Sequence, residues 1–314
     1  MHNPQSFKKA IKERIKGKVS FDEPMAAHTW FRVGGPADAF VAPESADELV
    51  DLVQWLAAEN IFYAVIGGGS NLLVKDRGIR GVVIDTSAGV KGISVATEGA
   101  VATVLRAMAG EPLNRLCRFA IDKGLAGLNF AIGIPGTVGG AIMMNAGTAD
   151  GSIKDALVQA TILFPDGRVE ALSGTSLDFK YRGLELPESD DTMHPPVILD
   201  GSFQLYPSGR DELAAEAENL LKQRQRRQPK GGASAGCFFK NPETGEPAGA
   251  LIEKAGMKGA CQGDAEVSEV HANFILNRGR ATAADILQLM EKIQTAVHEQ
   301  FGIWLKPEVR IVGD

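Results

Sequence analysis

The sequence predicts a folded protein of two or three domains in which helices and strands are mixed. Its 314 residues exceed what one hydrophobic core usually organises. Hydrophobic residues make up 44% of the chain and charged residues 23%, a balance that excludes a wholly disordered or fibrous protein. Along the chain, apolar residues at helical spacing alternate with short β-rich runs between glycines, which indicates that both types of element are present.

The first clear helix and strand lie between residues 46 and 74. Residues 46–59 place Leu49, Val53 and Leu56 on one helical face, which predicts an amphipathic helix. The run FYAVIGGGSNLLV that follows is typical of a buried strand that breaks into a glycine turn. We therefore expect a helix, a strand and a loop in that order.

A β-rich stretch extends from about residue 81 to residue 164. The runs VVIDTS, GISVAT, AVATVL and ATILFP predict strands, and one helix from Pro112 to Lys123, closed by Gly124, interrupts them. Asp166-Gly167, between ATILF and RVEAL, is typical of a β-hairpin turn. The middle of the chain is therefore expected to be mainly sheet.

The composition changes after Tyr206, and we place a domain boundary there. A polar helix runs through ELAAEAENLLKQRQRR and must end near Pro229. Thr282 and Asp285 predict the capping box of a last helix. The apolar face of that helix consists of Ile286, Met290, Ile293 and Val297. The run IWLKPEVRIVG then predicts a closing strand.

Charge and cysteine content argue against several classes of function. With 33 Lys plus Arg against 39 Asp plus Glu, the net charge is −6, so the general basic surface of a nucleic-acid or membrane-surface binder is missing. The N-terminus lacks the apolar run of a signal peptide, and no stretch reaches the roughly 18 apolar residues of a membrane span, which predicts a cytoplasmic protein. Cys117, Cys237 and Cys261 are odd in number and lack C-x-x-C spacing, so we expect neither a disulfide framework nor a metal site.

Glycine is over-represented, with 36 residues in the chain against a usual share of about 7%. Glycine allows backbone amides to approach a phosphate closely, and consecutive amides can form an anion-binding nest. Taken singly, each glycine cluster is more typical of a tight turn, since glycine is the default turn residue. Much of the glycine lies in four segments: RVGGP (32–36), GGGSN (67–71), GIPGTVGG (133–140) and GGASAG (231–236).

Two standard phosphate-binding motifs do not occur in the sequence. A G-x-x-x-x-G-K-[ST] motif is absent, which argues against a P-loop nucleotidase. A Rossmann fingerprint that began at Gly67 would need glycine at position 72, where Leu72 stands, and the residues after it predict a strand and a turn rather than a helix. A dinucleotide, if bound, must be bound by another fold.

Eight segments follow one another in a fixed order from about residue 21 onward. They are HTWFRVGGPAD (28–38), VIGGGSNLLV (65–74), GIPGTVGGAIMMNAG (133–147), YR (181–182), SAGCFFKNP (234–242), LIEKAGMKG (251–259), VHANFILN (270–277) and KPEVRIVG (306–313). In this order and spacing they resemble the UDP-N-acetylenolpyruvoylglucosamine reductases, or UDP-N-acetylmuramate dehydrogenases. The resemblance implies an α+β fold: an FAD-binding region of the vanillyl-alcohol-oxidase or p-cresol-methylhydroxylase type in two subdomains, 1–86 and 87–206, and a C-terminal α+β substrate domain, 207–314.

The resemblance also implies an FAD-dependent oxidoreductase with NADPH as hydride donor. NADPH would reduce FAD, and the flavin would return hydride to C3 of an enolpyruvyl ether, forming UDP-N-acetylmuramate for peptidoglycan synthesis. The family is thereby tied to cell wall biogenesis, cell shape, the cell cycle and cell division. Implied flavin contacts are Arg32, Gly34, Gly67, Gly68, Gly69, Ser70, Asn71, Gly133, Ile134, Pro135, Gly136, Gly139 and Gly140.

Three positions match the catalytic residues of the family. Arg182 corresponds to an arginine that polarises the substrate carboxylate, a role that suits a permanently charged, bidentate guanidinium. The family usually continues YR with Asp-Ser, whereas Gly183 and Leu184 follow here. Glu308 corresponds to a glutamate that assists at the same carboxylate as an acid or an orienting partner.

Cys237 stands where the family typically has the serine that protonates C2. A thiol has a pKa of about 8.5, far below that of an aliphatic hydroxyl, so we expect activity to be retained. Two other interpretations of Cys237 remain: a buried small hydrophobic residue, and a nucleophile paired with His271 as in cysteine hydrolases.

Further residues are implied in substrate binding. Lys240 and Asn241 belong to the Cys237 segment, and Arg227 lies near a family position that binds the substrate phosphates. The short segment from Gly183 to Asp200 resembles the family subtype that lacks an additional substrate-covering loop.

The expected partner is a small UDP-sugar, with no nucleic acid, membrane or obligate protein partner. Two alternative functions stay open: a flavin oxidase for another substrate, and a nucleotide-sugar-binding module without redox chemistry.

Overall fold

The computed structural model describes residues 4–188 and 190–314, and within them the chain forms two compact units. Unit 1 contains the residues up to Asp22, Asp38–Gly68 and Gly81–Lys222, and unit 2 contains Glu23–Ala37, Gly69–Arg80 and Gln223–Asp314. The eight helices of the described residues are α1 (Pro4–Arg14), α2 (Ala46–Ala58), α3 (Leu113–Asp122), α4 (Val138–Met143), α5 (Ile153–Ala156), α6 (Arg210–Arg227), α7 (Ala248–Lys254) and α8 (Ala283–Phe301).

Nineteen short strands accompany these helices in the described part of the chain. They are β1 (Lys18–Pro24), β2 (Pro36–Ala42), β3 (Tyr63–Ile66), β4 (Leu72–Val74), β5 (Ile79–Asp85), β6 (Ile93–Thr97), β7 (Thr103–Met108), β8 (Leu125–Ala126), β9 (Gly147–Thr148), β10 (Gly151–Ser152), β11 (Leu157–Leu163), β12 (Val169–Ser173), β13 (Asp178–Lys180), β14 (Gly183–Glu185), β15 (Val197–Pro207), β16 (Cys261–Gln262), β17 (Ala265–Val267), β18 (Ile275–Asn277) and β19 (Arg310–Val312).

Unit 1 is built on two sheets. The first has the strand order β1-β2-β5-β3, and β3 runs parallel to β5. The second has the order β12-β11-β15-β7-β6, with β8 paired to β15, and its β11·β15 and β15·β7 pairs are antiparallel. The long central strand β15 is buried over most of its length, because helices and neighbouring strands cover it.

Each sheet of unit 1 is associated with its own hydrophobic core. One core draws on residues 11–90 with Leu163, Val197 and Leu199, and the other draws on residues 105–217. The predicted subdomains 1–86 and 87–206 each supply most of one core, but their boundaries stay a prediction, and residues 1–3 of the first lie outside the described residues. The boundary expected at residue 206 falls inside unit 1, because α6 buries Leu213 and Ala217 in the second core.

Unit 2 combines α7 and α8 with two small sheets. Strands β16, β17 and β18 form an antiparallel sheet, and β4 pairs in parallel with β19 near the end of the chain. One face of α8 is buried in the core of the unit, and it includes Ile286, Ile293 and Val297 as the helical spacing predicts. Gly302 ends α8 in the left-handed conformation that glycine adopts without strain.

Several local predictions are confirmed. α2 begins after Ser45, whose side chain accepts a hydrogen bond from the Glu48 amide, and it buries the predicted leucine and valine face. α3 ends before Lys123 and Gly124, and the Asp166-Gly167 turn joins the antiparallel strands β11 and β12. Leu72 opens the strand β4, so the Gly67 loop leads into a strand and the Rossmann arrangement does not form.

Across residues 4–188 and 190–314, none of the helices combines the length and the apolar character that a membrane crossing requires.

Candidate active site

Two predicted glycine segments lie side by side in unit 1. Gly67 and Gly68 follow β3, and a Cβ atom on Gly67 would overlap Oγ1 of Thr137. A Cβ on Gly68 would lie 3.2 Å from the Cα of Gly136. Gly67 therefore leaves room for the Thr137 side chain, and at Gly68 and Gly136 the two backbones approach each other directly, which favours glycine on both sides.

Backbone and side-chain hydrogen bonds fix segment 133–140 against the start of α3. The Gly133 amide donates to Oδ1 of Asn114 at 2.6 Å, and the amide of Leu113 donates to the carbonyl of Gly136 at 3.0 Å. The segment therefore has a defined conformation before any ligand binds. Three further bonds of this kind join Ile134 to Ala131, Val138 to Glu111 and Gly139 to Ala109.

The glycines of this segment have two different roles. A Cβ on Gly139 would lie 2.8 Å from the Cβ of Ala109, so this glycine allows α4 to pack within the protein. Gly140 is exposed, and a Cβ there would come no closer than 3.6 Å, to Oγ1 of Thr137. Gly68 is exposed as well. These two exposed backbones, free of side chains, fit a bound anionic cofactor better than the packed glycines do.

The predicted flavin contacts of unit 2 are explained in part by packing. Gly69 has φ +60°, and a Cβ on it would overlap the carbonyl of His28. Gly34 has φ +128°, and its Cβ would lie 2.7 Å from that of Val74. Arg32 is a non-glycine residue at φ +55°, a left-handed conformation that costs about 1–2 kcal/mol.

Cys237 and Glu308 lie on adjoining backbone segments of unit 2. Cys237 forms an isolated antiparallel bridge with Phe274, and the next residue, Phe238, is fully buried. The amide of Glu308 donates to the carbonyl of Phe238 at 2.8 Å. The structure therefore brings two of the three predicted catalytic residues close together, and both are half-buried.

Asn273 holds the Cys237 segment from its other side. Its carbonyl accepts the Phe238 amide at 2.7 Å, its Oδ1 accepts the Phe239 amide at 2.9 Å, and its Nδ2 donates to the carbonyl of Phe239 at 2.8 Å. Asn273 is only 3% exposed, so water does not compete for these bonds. The sequence had assigned no role to this residue.

Asn71 connects the glycine loop to Glu308. Its Nδ2 donates to the Glu308 carbonyl at 3.1 Å, and its own carbonyl accepts the amide of Arg310 at 3.1 Å. Together with the pairing of β4 and β19, these bonds set the position of Glu308 relative to Ser70 and Asn71.

Arg182 lies in the two-residue turn that joins β13 and β14 in unit 1. It has φ +55°, and its guanidinium carbon lies 5.3 Å from the centre of the Tyr181 ring. Gly183, the next residue, has open space around it. The chain therefore keeps an arginine in a left-handed position although glycine would be less strained there.

The three predicted substrate-binding residues all lie in unit 2. Asn241 is exposed, and its Oδ1 accepts the amide of Ala248 at 3.0 Å, so it also holds the start of α7. The Lys240 amide donates to the carbonyl of Lys306 at 2.9 Å, which anchors this lysine beside the Glu308 segment. Arg227 is the exposed last residue of α6.

His271 is built into the protein as a neutral side chain. Its Nδ1 accepts the amide of Asn273 at 3.2 Å, which requires an unprotonated nitrogen. Burial lowers the pKa of His271 below its ordinary value, and the charge of Lys258 acts in the same direction. The imidazole thus supports the turn that carries Asn273, and this contact favours a structural role over that of a catalytic base for Cys237.

The comparisons with known proteins agree over nearly the whole chain. Residues 37–173 match the sequence family described as FAD binding domain, and residues 228–312 match the C-terminal domain of UDP-N-acetylenolpyruvoylglucosamine reductase. The reductase of that name from Desulfosudis oleivorans is 48% identical, across 98% of this chain and 99% of the relative, and that of Bacillus subtilis is 41% identical, across 96% and 97%.

A solved structure agrees with these sequence matches. The crystal structure of UDP-N-acetylenolpyruvylglucosamine reductase from Thermus caldophilus superposes with a TM-score of 0.75 at 34% identity, over 95% of this chain and 100% of the other.

This chain belongs to the UDP-N-acetylenolpyruvoylglucosamine reductase family. The family resemblance predicted from the eight segments is confirmed, and so is the fold of an FAD-binding region followed by the family's own C-terminal domain. As a member of this reductase family, the chain is an FAD-dependent oxidoreductase, which rules out the non-redox binding module.

Sequence reasoning about the reductase motifs missed residues that support the site from behind. Asn145 and Asn273 lie within quoted family segments, and Asp76 follows one of them, but none had been given a role. The available signal was a polar residue inside or next to an apolar or glycine-rich run, which is costly to bury without hydrogen-bond partners.

Proposed function

We propose that this chain reduces UDP-N-acetylenolpyruvoylglucosamine to UDP-N-acetylmuramate, with NADPH as the hydride donor, in the cytoplasmic stage of peptidoglycan synthesis. The sequence identity to reductases of that name, which extends over nearly the full length of the chain, carries the proposal. The closeness of the Cys237 and Glu308 segments supports it independently, because these side chains come from distant parts of the sequence.

When bound, FAD would supply the redox chemistry, a hydride transfer from NADPH to C3 of the enolpyruvyl group. Addition of hydride at C3 leaves negative charge on C2 and on the substrate carboxylate, and the remaining chemistry belongs to the protein. The proposed contacts for FAD are the glycine segments 67–71 and 133–140 with Arg32 and Gly34. The exposed Gly68 and Gly140 support this choice, because their backbones reach the surface and no Cβ atom covers them.

We assign the stabilisation of this charge to Arg182 and Glu308. A guanidinium is permanently charged and forms paired hydrogen bonds with a carboxylate, so Arg182 suits the substrate carboxylate. Its left-handed backbone supports a functional role, since strained positions persist where a particular side chain is needed. Glu308 assists at the same carboxylate as an orienting hydrogen-bond partner.

Cys237 is the proposed proton donor to C2. Its segment is fixed by Asn273 and by the Glu308 amide, so the thiol is carried on a defined backbone. A proton donor must lie within hydrogen-bond reach of the atom that it protonates, and a fixed backbone supports such a placement. Lys240, Asn241 and Arg227 are the proposed contacts for the rest of the UDP-sugar, and no protein partner is required.

The proposal is tested by following the flavin colour in the absence of oxygen. The purified protein, loaded with FAD, is mixed with NADPH, and the loss of the visible flavin absorbance reports reduction of the flavin. UDP-N-acetylenolpyruvoylglucosamine is then added, and we expect the absorbance to return. UDP-N-acetylglucosamine, which lacks the enolpyruvyl group, serves as the control and should leave the flavin reduced.

Other outcomes would contradict the proposal in distinct ways. A protein that takes up no FAD cannot perform this reaction. A reduced flavin that oxygen reoxidises but the enolpyruvyl compound does not would favour the alternative of a flavin oxidase with another substrate.

A further inference from the structure

Asn145 contacts the base of the turn that carries Arg182. It follows α4 as the second residue beyond the helix, has φ +40°, and donates its amide to the carbonyl of Ile142 at 3.0 Å. Glycine is the usual residue at such a position after a helix, and asparagine is the common substitute. The backbone at this position therefore does not itself require an asparagine side chain.

The side chain of Asn145 is used to join three segments of unit 1. Nδ2 donates to the carbonyl of Lys180 at 3.0 Å, and Oδ1 accepts the amide of Lys154 at 3.1 Å. Asn145 is 8% exposed, so these bonds form largely out of contact with water. A buried side chain with both polar ends satisfied fixes its partners to each other more firmly than a solvated one.

The bond to Lys180 acts at the base of the Arg182 turn. Lys180 pairs with Gly183 in the β13·β14 hairpin, and only Tyr181 and Arg182 lie between them. A hydrogen bond to the Lys180 carbonyl therefore fixes the position of this two-residue turn relative to α4. The first residues of α4 belong to segment 133–140, which contains proposed flavin contacts.

We propose that Asn145 is a positioning residue that holds the Arg182 turn at a fixed place relative to the glycine segment 133–140. The role rests on the proposed function of Arg182 at the substrate carboxylate. Asn145 touches neither substrate nor cofactor in this proposal, and its effect on turnover passes through Arg182 alone.

The test uses Asn145→Gly, which keeps the left-handed backbone free of strain and removes both side-chain hydrogen bonds. A displacement of a catalytic group by about 1 Å can lower the rate on the order of a hundredfold. We expect reoxidation of the reduced flavin by the enolpyruvyl substrate to slow by roughly tenfold to a hundredfold. Reduction of the flavin by NADPH should proceed at the wild-type rate, because Arg182 has no part in it.

Asn60→Gly is a matched control. Asn60 follows α2 as Asn145 follows α4, has φ +52°, and donates its amide to the carbonyl of Ala57 at 3.0 Å. It is exposed on the surface and belongs to neither strand of the β13·β14 hairpin. The same substitution there makes the same backbone change, and both half-reactions should stay at wild-type rates.

A double-mutant cycle with Arg182→Ala separates positioning from a general loss of structure. If Asn145 acts through Arg182, adding Asn145→Gly to the Arg182→Ala protein changes the substrate step by less than about twofold. If Asn145→Gly does not load with FAD, Asn145→Asp carries the test, because it keeps the acceptor for Lys154 and removes only the donor to Lys180.

Three results would overturn the positioning role: wild-type behaviour of the Asn145 variants, equal slowing of both half-reactions, or additive effects in the double mutant. A failure of the proposed function looks different, because the wild-type protein would then not be reoxidised by the enolpyruvyl substrate at all, and the positioning role would fall with it.

Discussion

Cys237 is held by backbone bonds on both sides, so a change of its side chain can be made without moving the segment. Removal of a positioned proton donor costs typically 10²–10⁴-fold in rate. We expect Cys237→Ala to lose activity in the substrate step by this order, about 10²–10⁴-fold, while NADPH reduces the flavin normally. Cys237→Ser restores a proton donor, so its rate in the substrate step should lie between those of Cys237→Ala and the wild-type protein.

Stopped-flow measurement of the two half-reactions, flavin reduction by NADPH and flavin reoxidation by the substrate, tests this prediction directly. Cys261→Ala is the matched control, because Cys261 is an exposed thiol of the same unit. Full turnover by Cys237→Ala would remove the thiol from the mechanism.

His271 gives the stability of unit 2 a dependence on pH. Its pKa is lowered in the folded protein, mainly by burial, while in the unfolded chain it returns to about 6.5. The unfolded state therefore binds more protons as the pH falls below about 6.5, and the free energy of unfolding decreases there. We expect urea unfolding at pH 7.5 and pH 5.5 to differ less for His271→Asn, whose Oδ1 can still accept the Asn273 amide. An unchanged difference would show that His271 is not the source.

At the scale of elements, two separate sets of hydrogen bonds stabilise the start of α8. Thr282 and Asp285 form the predicted capping box, and Asp76 adds a second contact, with Oδ1 accepting the amide of Ala283 at 2.8 Å and Oδ2 that of Ala284 at 2.9 Å. The carboxylate thereby satisfies two amides that have no partner within the helix. Asp76 comes just after β4, so this contact ties the helix to the glycine-loop strand.

We expect Asp76→Ala to lower the free energy of unfolding by about 1–2 kcal/mol, as the loss of a helix cap does. Glu291→Ala, at an exposed position on the same helix, should change it by less than about 0.5 kcal/mol. Chemical denaturation of both variants provides the comparison, and equal effects would mean that Asp76 contributes no cap.

The elements that the sequence predicts well are those defined by neighbouring residues. The spacing of Leu49, Val53 and Leu56, the Asp166-Gly167 turn and the Thr282 capping box all depend on contacts within a few positions, and the structure contains each of them. Pairing of β4 with β19 depends on residues more than two hundred positions apart, and nothing in either strand specifies its partner.

The glycine segments show a second limit of prediction. The sequence marks where a side chain is missing, but it does not tell what takes up the space. At Gly69 and Gly139 the protein itself fills it, whereas at Gly68 and Gly140 the backbone stays exposed. The family resemblance predicted the cofactor correctly, yet only the three-dimensional contacts distinguish packed glycines from those available to a ligand.

At the scale of the whole molecule, cofactor and stability are linked. A ligand that binds the folded state alone stabilises it by about 2.7 kcal/mol at a hundred times its dissociation constant. We expect added FAD to raise the melting temperature of the cofactor-free protein by several degrees, in proportion to the logarithm of its concentration. Riboflavin, which lacks the pyrophosphate, should raise it less, because the exposed backbones of Gly68 and Gly140 suit an anion. Differential scanning fluorimetry measures both shifts, and equal shifts for the two flavins would contradict a pyrophosphate site at these glycines.

The bond from Asn71 to Glu308 spans 237 positions of sequence, and this has a consequence for synthesis on the ribosome. The glycine loop leaves the ribosome well before β19 and Glu308, which follow it by more than two hundred residues. Contacts of such long range also form slowly. A nascent chain that has not yet reached β19, or one truncated before it, therefore lacks the strand that fixes Asn71.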